Sequence, residues 1–539
     1  MVSISIQKRK KKGHLYYYAV EVARVEGKPR IVWQRYLGSA KRILKTYELF
    51  DALELALKTY DFGGIAAMLA VADDLGFMDI VTTVTGDEEA WKHFLLMVSG
   101  RFNKVRSKNK TVEWYRETFL PMYWPDFKPY EQEVFRKMDL LTDEVIDEIG
   151  MKLSSTLLGK GLIPELLILD STNFFTYIEE GGDLPQKGNS KEMRNNKNII
   201  NLGLAVTQDN IPFCHHVYEG NKHDARAFPE LLDGIVKYLK GLDIKTEELA
   251  LVFDKGNNSE LNISKAMANV HIIGSAKRSQ VKNLFEVSLD EYENLYTSGS
   301  GVDILGYRSR AEIFGREFTV VVSYNFATHK NQQKSYENRK EKIVNTLDGI
   351  KRRMTRKGRG RKLNIEGAMK QALDAIQKDY RTIFKPELKE GTFEYQIDED
   401  KEMELYSSFG KHAIFTNLDD WTSERIVKGY NSKYLVEDDF KLMKGALIVP
   451  VKPIYHWKDK RIKAHIFLCF LGVMFFRYMV HKVDELGMSA QRVAEELQKM
   501  RVGLVKVKGT KKAKIVVEQM SPEQANLFSI LKMNRFVPS

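Results

Sequence analysis

The chain has 539 residues, with 84 Lys and Arg against 72 Asp and Glu, for a formal net charge of +12. A composition of 43% hydrophobic and 29% charged residues excludes a disordered chain, and at roughly 150 residues per domain three or four structural units are expected. Two cysteines, Cys214 and Cys469, exclude a disulfide framework and a cysteine-based zinc site. The positive excess favours polyanions through counterion release, and nucleic acid is the usual partner; a generic basic enzyme is the plainer alternative.

The N-terminus carries five consecutive basic residues, Lys8 to Lys12, with no apolar region behind them, so it does not read as a secretory signal. Tyr16 to Val25 and Arg30 to Leu37 read as a β-hairpin around Glu26-Gly27-Lys28-Pro29. Arm and hairpin either grip a phosphate backbone or form a solvated ribbon. From Ile43 to Ser155 a helical domain is expected, with Leu53, Leu55 and Leu57 at helical spacing, Gly63-Gly64 separating two helices, and one helix over Glu131 to Lys152.

The texture then changes to short apolar strands. Leu166 to Asp170, Ile199 to Val206, Pro212 to Tyr218, Ala250 to Asp254 and Val270 to Ser275 read as strands, with an Asp224-capped helix and a helix from Ser259 between them. This order predicts a mixed α/β core. Residues 280 to 330 look like strands and turns, and 334 to 380 mostly like helix. The run 351–362, with eight Lys or Arg in 12 residues, reads as a loop that is either a solvated surface or a phosphate contact. Strand character returns over 392 to 418, and a long helix begins near Thr422. Beyond it a helix over Ser489 to Met500, a hairpin turning at Gly509-Thr510-Lys511 and a final helix are expected. The longest apolar run, Ala464 to Phe476, rises about 20 Å as a helix, short of the ~30 Å hydrocarbon core, so a buried helix in a soluble, cytoplasmic protein is expected, with no membrane partner.

Asp170 and Asp254 form the sharpest pair, each at the end of a strongly apolar strand. If the strands are neighbours, two repelling carboxylates share one sheet edge, and a hard divalent cation is the natural occupant; the alternative is that each satisfies turn amides. Tyr430, Lys433, Glu437 and Lys444 fall within roughly 60° of one helix face. That stripe suits a metal ligand beside a phosphate, or plain charge pairing on an exposed helix. Glu437 is preferred over Asp438 and Asp439, which are rotated away. His215 and His216 are adjacent on a strand and point to opposite faces, so they do not share a metal; His456 and His465 read as structural.

These residues carry a resemblance. The chain is similar to DDE transposases of prokaryotic insertion sequences, in the branch marked by Tyr-x2-Arg-x3-Glu-x6-Lys. Here the signature reads Tyr430-x2-Lys433-x3-Glu437-x6-Lys444, with Lys in place of Arg. Leu-Ile-Leu-Asp170-Ser-Thr and Val-Phe-Asp254-Lys-Gly resemble the family's first two acidic motifs. Gly220-Asn221-x2-Asp224 and His456-Trp457-x3-Arg461-Ile462-x2-His465 resemble further family features.

The resemblance implies an α/β fold with an RNase H-like mixed-sheet catalytic core, split between 161–279 and 411–482 by an insertion domain at 280–410. A basic arm and hairpin (1–42) and a helical region (43–160) would precede it, and a small helical and hairpin region (483–539) would follow. Asp170, Asp254 and Glu437 would be the catalytic, metal-binding triad for two Mg²⁺ (or Mn²⁺) ions. Tyr430, Lys433 and Lys444 would contact DNA, Lys433 as a point charge where Arg offers a planar fork. Lys351, Arg352, Arg353, Arg356 and Lys357 are further candidate DNA contacts. The implied partners are double-stranded DNA, as terminal inverted repeats and target, and a second copy of the chain in a synaptic homodimer. The implied activity is cleavage and strand transfer; a metal-dependent nuclease without joining, and a catalytically inactive DNA-binding derivative, are the alternatives.

Overall fold

The computed structural model describes residues 3–25, 28–51, 55–103, 106–355, 363–389, 392–445, 448–507 and 513–538. The chain divides into two compact units. One comprises Met1–Ala67, Glu113–Lys128 and Ala494–Ser539, the other Met68–Val112 and Pro129–Val493.

The first unit opens with three strands, β1 (Ser3–Lys11), β2 (His14–Val25) and β3 (Lys28–Gly38), in one antiparallel sheet in that order. The basic arm is therefore itself a strand, paired along its whole length with β2, and the expected hairpin is a three-stranded sheet. Helix α1 (Ala40–Asp51) follows and packs on β2 and β3. Leu55 and Leu57 depart from expectation: they lie in β4 (Leu55–Asp61), which pairs antiparallel with the strand Arg501–Val507, itself paired with Ala513–Val517. Leu53 and the turn at Gly509-Thr510-Lys511 lie outside the described residues. The run Leu-Ala-Leu-Lys-Thr-Tyr-Asp alternates with period two as well as it fits a helix, and a distant main-chain partner decides between them. Gly63 does not separate helices but opens α2 (Gly63–Asp74). A Cβ there would stand 2.2 Å from the Leu497 carbonyl oxygen, so only glycine fits.

Helices α3 (Phe77–Thr85), α4 (Ala90–Asn103), α5 (Lys108–Tyr115), α6 (Leu120–Tyr123), α7 (Glu131–Met138) and α8 (Asp143–Gly159) complete the helical stretch. The single helix expected over Glu131 to Lys152 is two. Thr142 caps the second by accepting from the Val145 amide at 3.3 Å, which halts the first at Met138.

The second unit is built on a ten-stranded mixed sheet. Its strands are β5 (Leu166–Thr176), the short β6 (Gln186–Lys187), β7 (Asn198–Thr207), β8 (Pro212–Glu219), β9 (Ala250–Phe253), β10 (His271–Ser275), β11 (Glu293–Thr297), β12 (Asp303–Ile313), β13 (Arg316–Asn325) and, after β14 (Phe384–Lys389) and β15 (Thr392–Ile397), β16 (Lys411–Thr416). The first five long strands lie in the order β8-β7-β5-β9-β10, with β9 parallel to both β5 and β10 and the other pairs antiparallel. Two helices, α9 (Asp224–Gly241) and α10 (Glu260–Met267), join β8 to β9 and β9 to β10. Phe228 and Leu232 of α9 share one apolar cluster with Leu167, Leu169 and Leu251.

The segment 280–410 divides. Strands β11 to β13 extend the main sheet through β16, whereas α11 (Lys282–Phe285) is a short link before them. A separate core, including Tyr336, Leu347, Ile350, Phe384 and Phe393, is built by α12 (Phe326–Thr355), α13 (Ile365–Ala375), β14, β15 and α14 (Glu399–Tyr406). The antiparallel ladder of β13 on β16 binds the first part of the segment to the sheet, a pairing that strand texture alone does not reveal. The expected loop at 351–362 is partly helix: Lys351, Arg352 and Arg353 form the last turn of α12, and Arg356 and Lys357 lie outside the described residues.

The long helix expected from Thr422 is also two, α15 (Ser423–Asn431) and α16 (Tyr434–Lys444), joined through Ser432 and Lys433. Thr422 caps the first. The apolar run belongs to α17 (Asp459–Lys482), a 24-residue helix of which 89% of the most apolar window is buried. His215 stacks on two of its rings, Phe467 and Phe470, at 5.7 and 4.6 Å.

Burial pushes the His215 imidazole down to about 3. Between that value and the ordinary 6.5 the unfolded chain takes up a proton that the folded chain refuses, so stability present above pH 6.5 is lost as pH falls. This one residue accounts for about 2 kcal/mol between neutral pH and pH 5. Urea midpoints at the two pH values, compared for wild type and His215→Phe, measure it; an equal acid loss in both would remove His215 as the cause.

Candidate functional site

Parallel strands β5 and β9 stay in register from Leu166↔Ala250 to Leu169↔Phe253, so the next residue of each is an aspartate. Asp254 leaves the sheet there and leads a 3₁₀ turn over Lys255–Asn257. Asp170 does not end its strand, because β7 continues to pair with β5 through Thr176. The acid therefore sits in mid-strand, at the point where its parallel neighbour stops. Period-two alternation puts Asp170 on the face of β5 that carries Leu166, and Leu166 lies 3.8 Å from where a Cβ on Gly429 of α15 would be. Helix α16 packs across β5 and β7.

The two carboxylates differ in environment. Burial raises the Asp170 carboxyl above the ordinary range; the charge of Asp254 adds to this, and Lys191 and Lys433 oppose it. For Asp254 burial acts upward too, but the hydrogen bond and charge of Lys433 outweigh it and the group is lowered. The Lys433 ammonium lies 2.5 Å from Asp254 Oδ1 and 3.3 Å from the Tyr430 hydroxyl, and 4.8 Å from the centre of the Tyr430 ring. Lys444 is lowered by burial, with Glu192 and Asp170 opposing and Lys191 and Lys452 adding to it. Tyr430, Lys433, Lys444, Asp170 and Asp254 thus come together although a helix break separates Tyr430 from Glu437. Glu437 is exposed on α16, and neither it nor Tyr430, Lys433 or Lys444 is among the residues lining the cavity described next.

That cavity, about 500 Å³, is lined by Asp170, Asp254, Asn173, Lys191, Asp224 and Asn257 among others. Four of these were not read as site residues from the sequence: Asn173, Lys191, Asp224 and Asn257. The Lys191 ammonium donates to the Ser171 carbonyl at 2.5 Å and to Asp224 Oδ2 at 3.2 Å, and its amide donates to Asn173 Oδ1 at 2.9 Å. Asp224 is not the cap of α9, a position held by His223; its carboxylate instead accepts from the Tyr218 hydroxyl at 2.8 Å. The Gly220-Asn221-x2-Asp224 motif marked this corner, while nothing in the spacing of Lys191 did. A Cβ on Gly220 would stand 2.1 Å from the Ile199 carbonyl oxygen, so the motif's glycine lets the wall close onto β7.

All the acidic donors here are carboxylates, which suits a hard cation such as Mg²⁺ or Mn²⁺. Among the described residues no three His, Cys, Asp or Glu side chains cluster closely enough to hold an ion by themselves. Asp170 and Asp254, opening onto a polar cavity that Asp224 also lines, still fit Mg²⁺, which is commonly bound through one or two carboxylates plus waters and substrate phosphates. Asp170 and Asp254 are the residues that would hold it.

The remaining expected residues lie elsewhere. Arg353 donates to Gln371 Oε1 at 2.6 Å and Lys351 pairs with Glu394 at 3.5 Å, so both are engaged within the separate core region, and neither they nor Arg352 line the cavity. His465 Nε2 lies 2.8 Å from the Val451 carbonyl oxygen, a structural contact. Both cysteines are free and buried. No protein-family model matches the chain, and no curated protein matches it in sequence.

Proposed function

We propose that the protein is a DDE-type DNA transposase with an RNase H-like core, which binds the terminal repeats of its element, cleaves phosphodiester bonds and joins the freed 3′-hydroxyl ends to target DNA. The observation that carries the reading is the adjacency of Asp170 and Asp254 where β9 ends, with lysines 433, 191 and 444 around them. The strand order β8-β7-β5-β9-β10, in sequence order third-second-first-fourth-fifth with the second strand antiparallel to the first, supports an RNase H-like core.

When bound by Asp170 and Asp254, a pair of Mg²⁺ or Mn²⁺ ions supplies activation of the attacking water or 3′-hydroxyl and stabilisation of the leaving oxygen. The chain's own residues do the rest. Lys433, Lys191 and Lys444 offer three ammonium groups to the phosphates flanking the scissile bond. Tyr430 orients Lys433 through its hydroxyl and ring, and is a positioning residue rather than a nucleophile. In the absence of DNA, Lys433 neutralises Asp254, so phosphate arriving beside Asp254 gives this ammonium a second anion to serve. Two DNA ends brought together imply a dimer of the chain.

The third carboxylate is tested directly. With duplex end DNA and Mg²⁺ or Mn²⁺, Glu437→Gln is expected to bind DNA as wild type does and to lose cleavage and joining. Full activity in Glu437→Gln with loss in Asp224→Asn would transfer the role to Asp224. Cleavage without joining by wild type would favour a nuclease, and binding with neither would favour an inactive DNA-binding derivative.

A further inference from the structure

The sheet β1-β2-β3 has two faces of different make-up, and the register assigns each paired side chain to one of them. On the first, Tyr16, Tyr18, Val20 and Val22 of β2 stand with Arg9 of β1 and Tyr36 of β3. This face is built. Val20 is fully buried, Tyr18 and Tyr36 lie 5.2 Å apart between ring centres, and the Arg9 guanidinium sits 4.7 Å above the Tyr18 ring. On the second face Lys8 and Lys10 of β1 stand opposite Tyr17 and Leu15 of the central strand, with Ile4 and Ile6 further along β1, and Lys28, Arg30 and Arg35 of β3 stand opposite Val25, Ala23 and Ala19. Glu21 is its single acid among the described residues, and Trp33 opposite Glu21 is 44% exposed.

We propose that this second face docks duplex DNA, with the cations of the outer strands on the phosphates at either side of a groove and the central strand facing the bases. The inference deepens the proposed function by naming a DNA-binding surface, and it rests only on the DNA-binding part of that reading. The lysines of β1, level with Leu15 and Tyr17, and the cations of β3, level with Ala19, Ala23 and Val25, form two positive patches on opposite edges of the face and complement a groove walled by phosphates. Outer strands about 10 Å apart match a major groove about 12 Å wide. Five cations to one acid disfavour the same face of a second copy, since a two-fold contact would set like charges against each other. The deep, narrow major groove of duplex RNA would not admit the sheet.

The test is binding of the full chain to a mixed-sequence DNA duplex by fluorescence anisotropy, over a range of salt and with a chelator present so that catalysis plays no part. Replacing Lys8, Lys10, Arg30 and Arg35 together with Ala is expected to reduce the slope of log K against log salt by about 3–4, from roughly 0.9 per phosphate contact. Arg9→Ala with Lys11→Ala, on the built face, is expected to leave the slope unchanged. An unchanged slope in the quadruple variant, with its circular dichroism spectrum intact, would overturn the proposal, as would an equal loss per charge in the opposite-face variant. A change in self-association instead, by sedimentation, would assign the face to a second copy and overturn it too. The quadruple variant is expected to bind Mn²⁺ as wild type does by calorimetry, so failure of this surface and failure of the catalytic reading are separable.

Discussion

Asp170→Asn and Asp254→Asn are each expected to reduce DNA cleavage and strand transfer by about a thousandfold or more while leaving DNA binding within a few-fold of wild type. Asparagine keeps the volume and one oxygen of the side chain but removes the charge that holds a divalent cation. The lost stabilisation of the transition state is of the order of several kcal/mol, and each 1.4 kcal/mol is a factor of about ten. The two variants differ in one respect. Asp254→Asn also releases Lys433 from its 2.5 Å ion pair, so it should bind phosphate-rich ligands slightly better than Asp170→Asn. Single-turnover cleavage of labelled end DNA, with Mn²⁺ binding measured by calorimetry, checks both. Cleavage near the wild-type rate in either variant would remove that aspartate from the chemistry and with it the proposed activity.

Arg477→Ala is expected to destabilise the second unit by about 3–5 kcal/mol, the usual cost of removing one partner from a buried ion pair. Asp439 of α16 is fully buried, and its Oδ1 accepts from Arg477 Nε of α17 at 2.6 Å. Burial pushes the Asp439 carboxyl up and the Arg477 charge opposes it. Without the guanidinium, the acid must take up a proton or draw water into the α16–α17 contact. That contact seats the helix that begins beside Lys433 and bears Glu437, so cleavage should fall together with stability. Asp439→Leu combined with Arg477→Met removes both charges at similar volume and should restore most of the stability. Urea unfolding of the three proteins, followed by far-ultraviolet circular dichroism, is the measurement. A loss below about 0.5 kcal/mol in Arg477→Ala would show the pair to be dispensable.

Asp439 illustrates where sequence reading stops. Helical rotation separates it from Glu437, and its burial against Arg477 keeps it out of the candidate site. Its partner, 38 residues further on, has no local signal. Tyr430 and Lys433 were placed on one polar stripe, and the structure brings both to Asp254 despite the break at Ser432, because the joining residues keep helical backbone angles. The same stripe carries Glu437, which is exposed, and none of its residues lines the cavity, which Asp224 and Lys191 enter from a turn and a loop.

Local chemistry by itself determined the short apolar strands of the main sheet, the helix starts at Ser259 and Thr422 and the burial of the apolar helix, and it set Asp170 and Asp254 each after an apolar run, whereas their adjacency waited on the β5–β9 pairing. Each follows from side-chain period, capping oxygens or the aqueous cost of exposing apolar surface, all readable within a few residues. Only the tertiary structure decided that β4 is a strand, that β11 to β13 belong to the main sheet, that Asp170 lies in mid-strand and that Lys191 reaches the site. In each case the deciding partner is a backbone or a side chain well removed in sequence. Strand pairing and buried charge compensation depend on that distant neighbour, and residue type at one position carries no record of it.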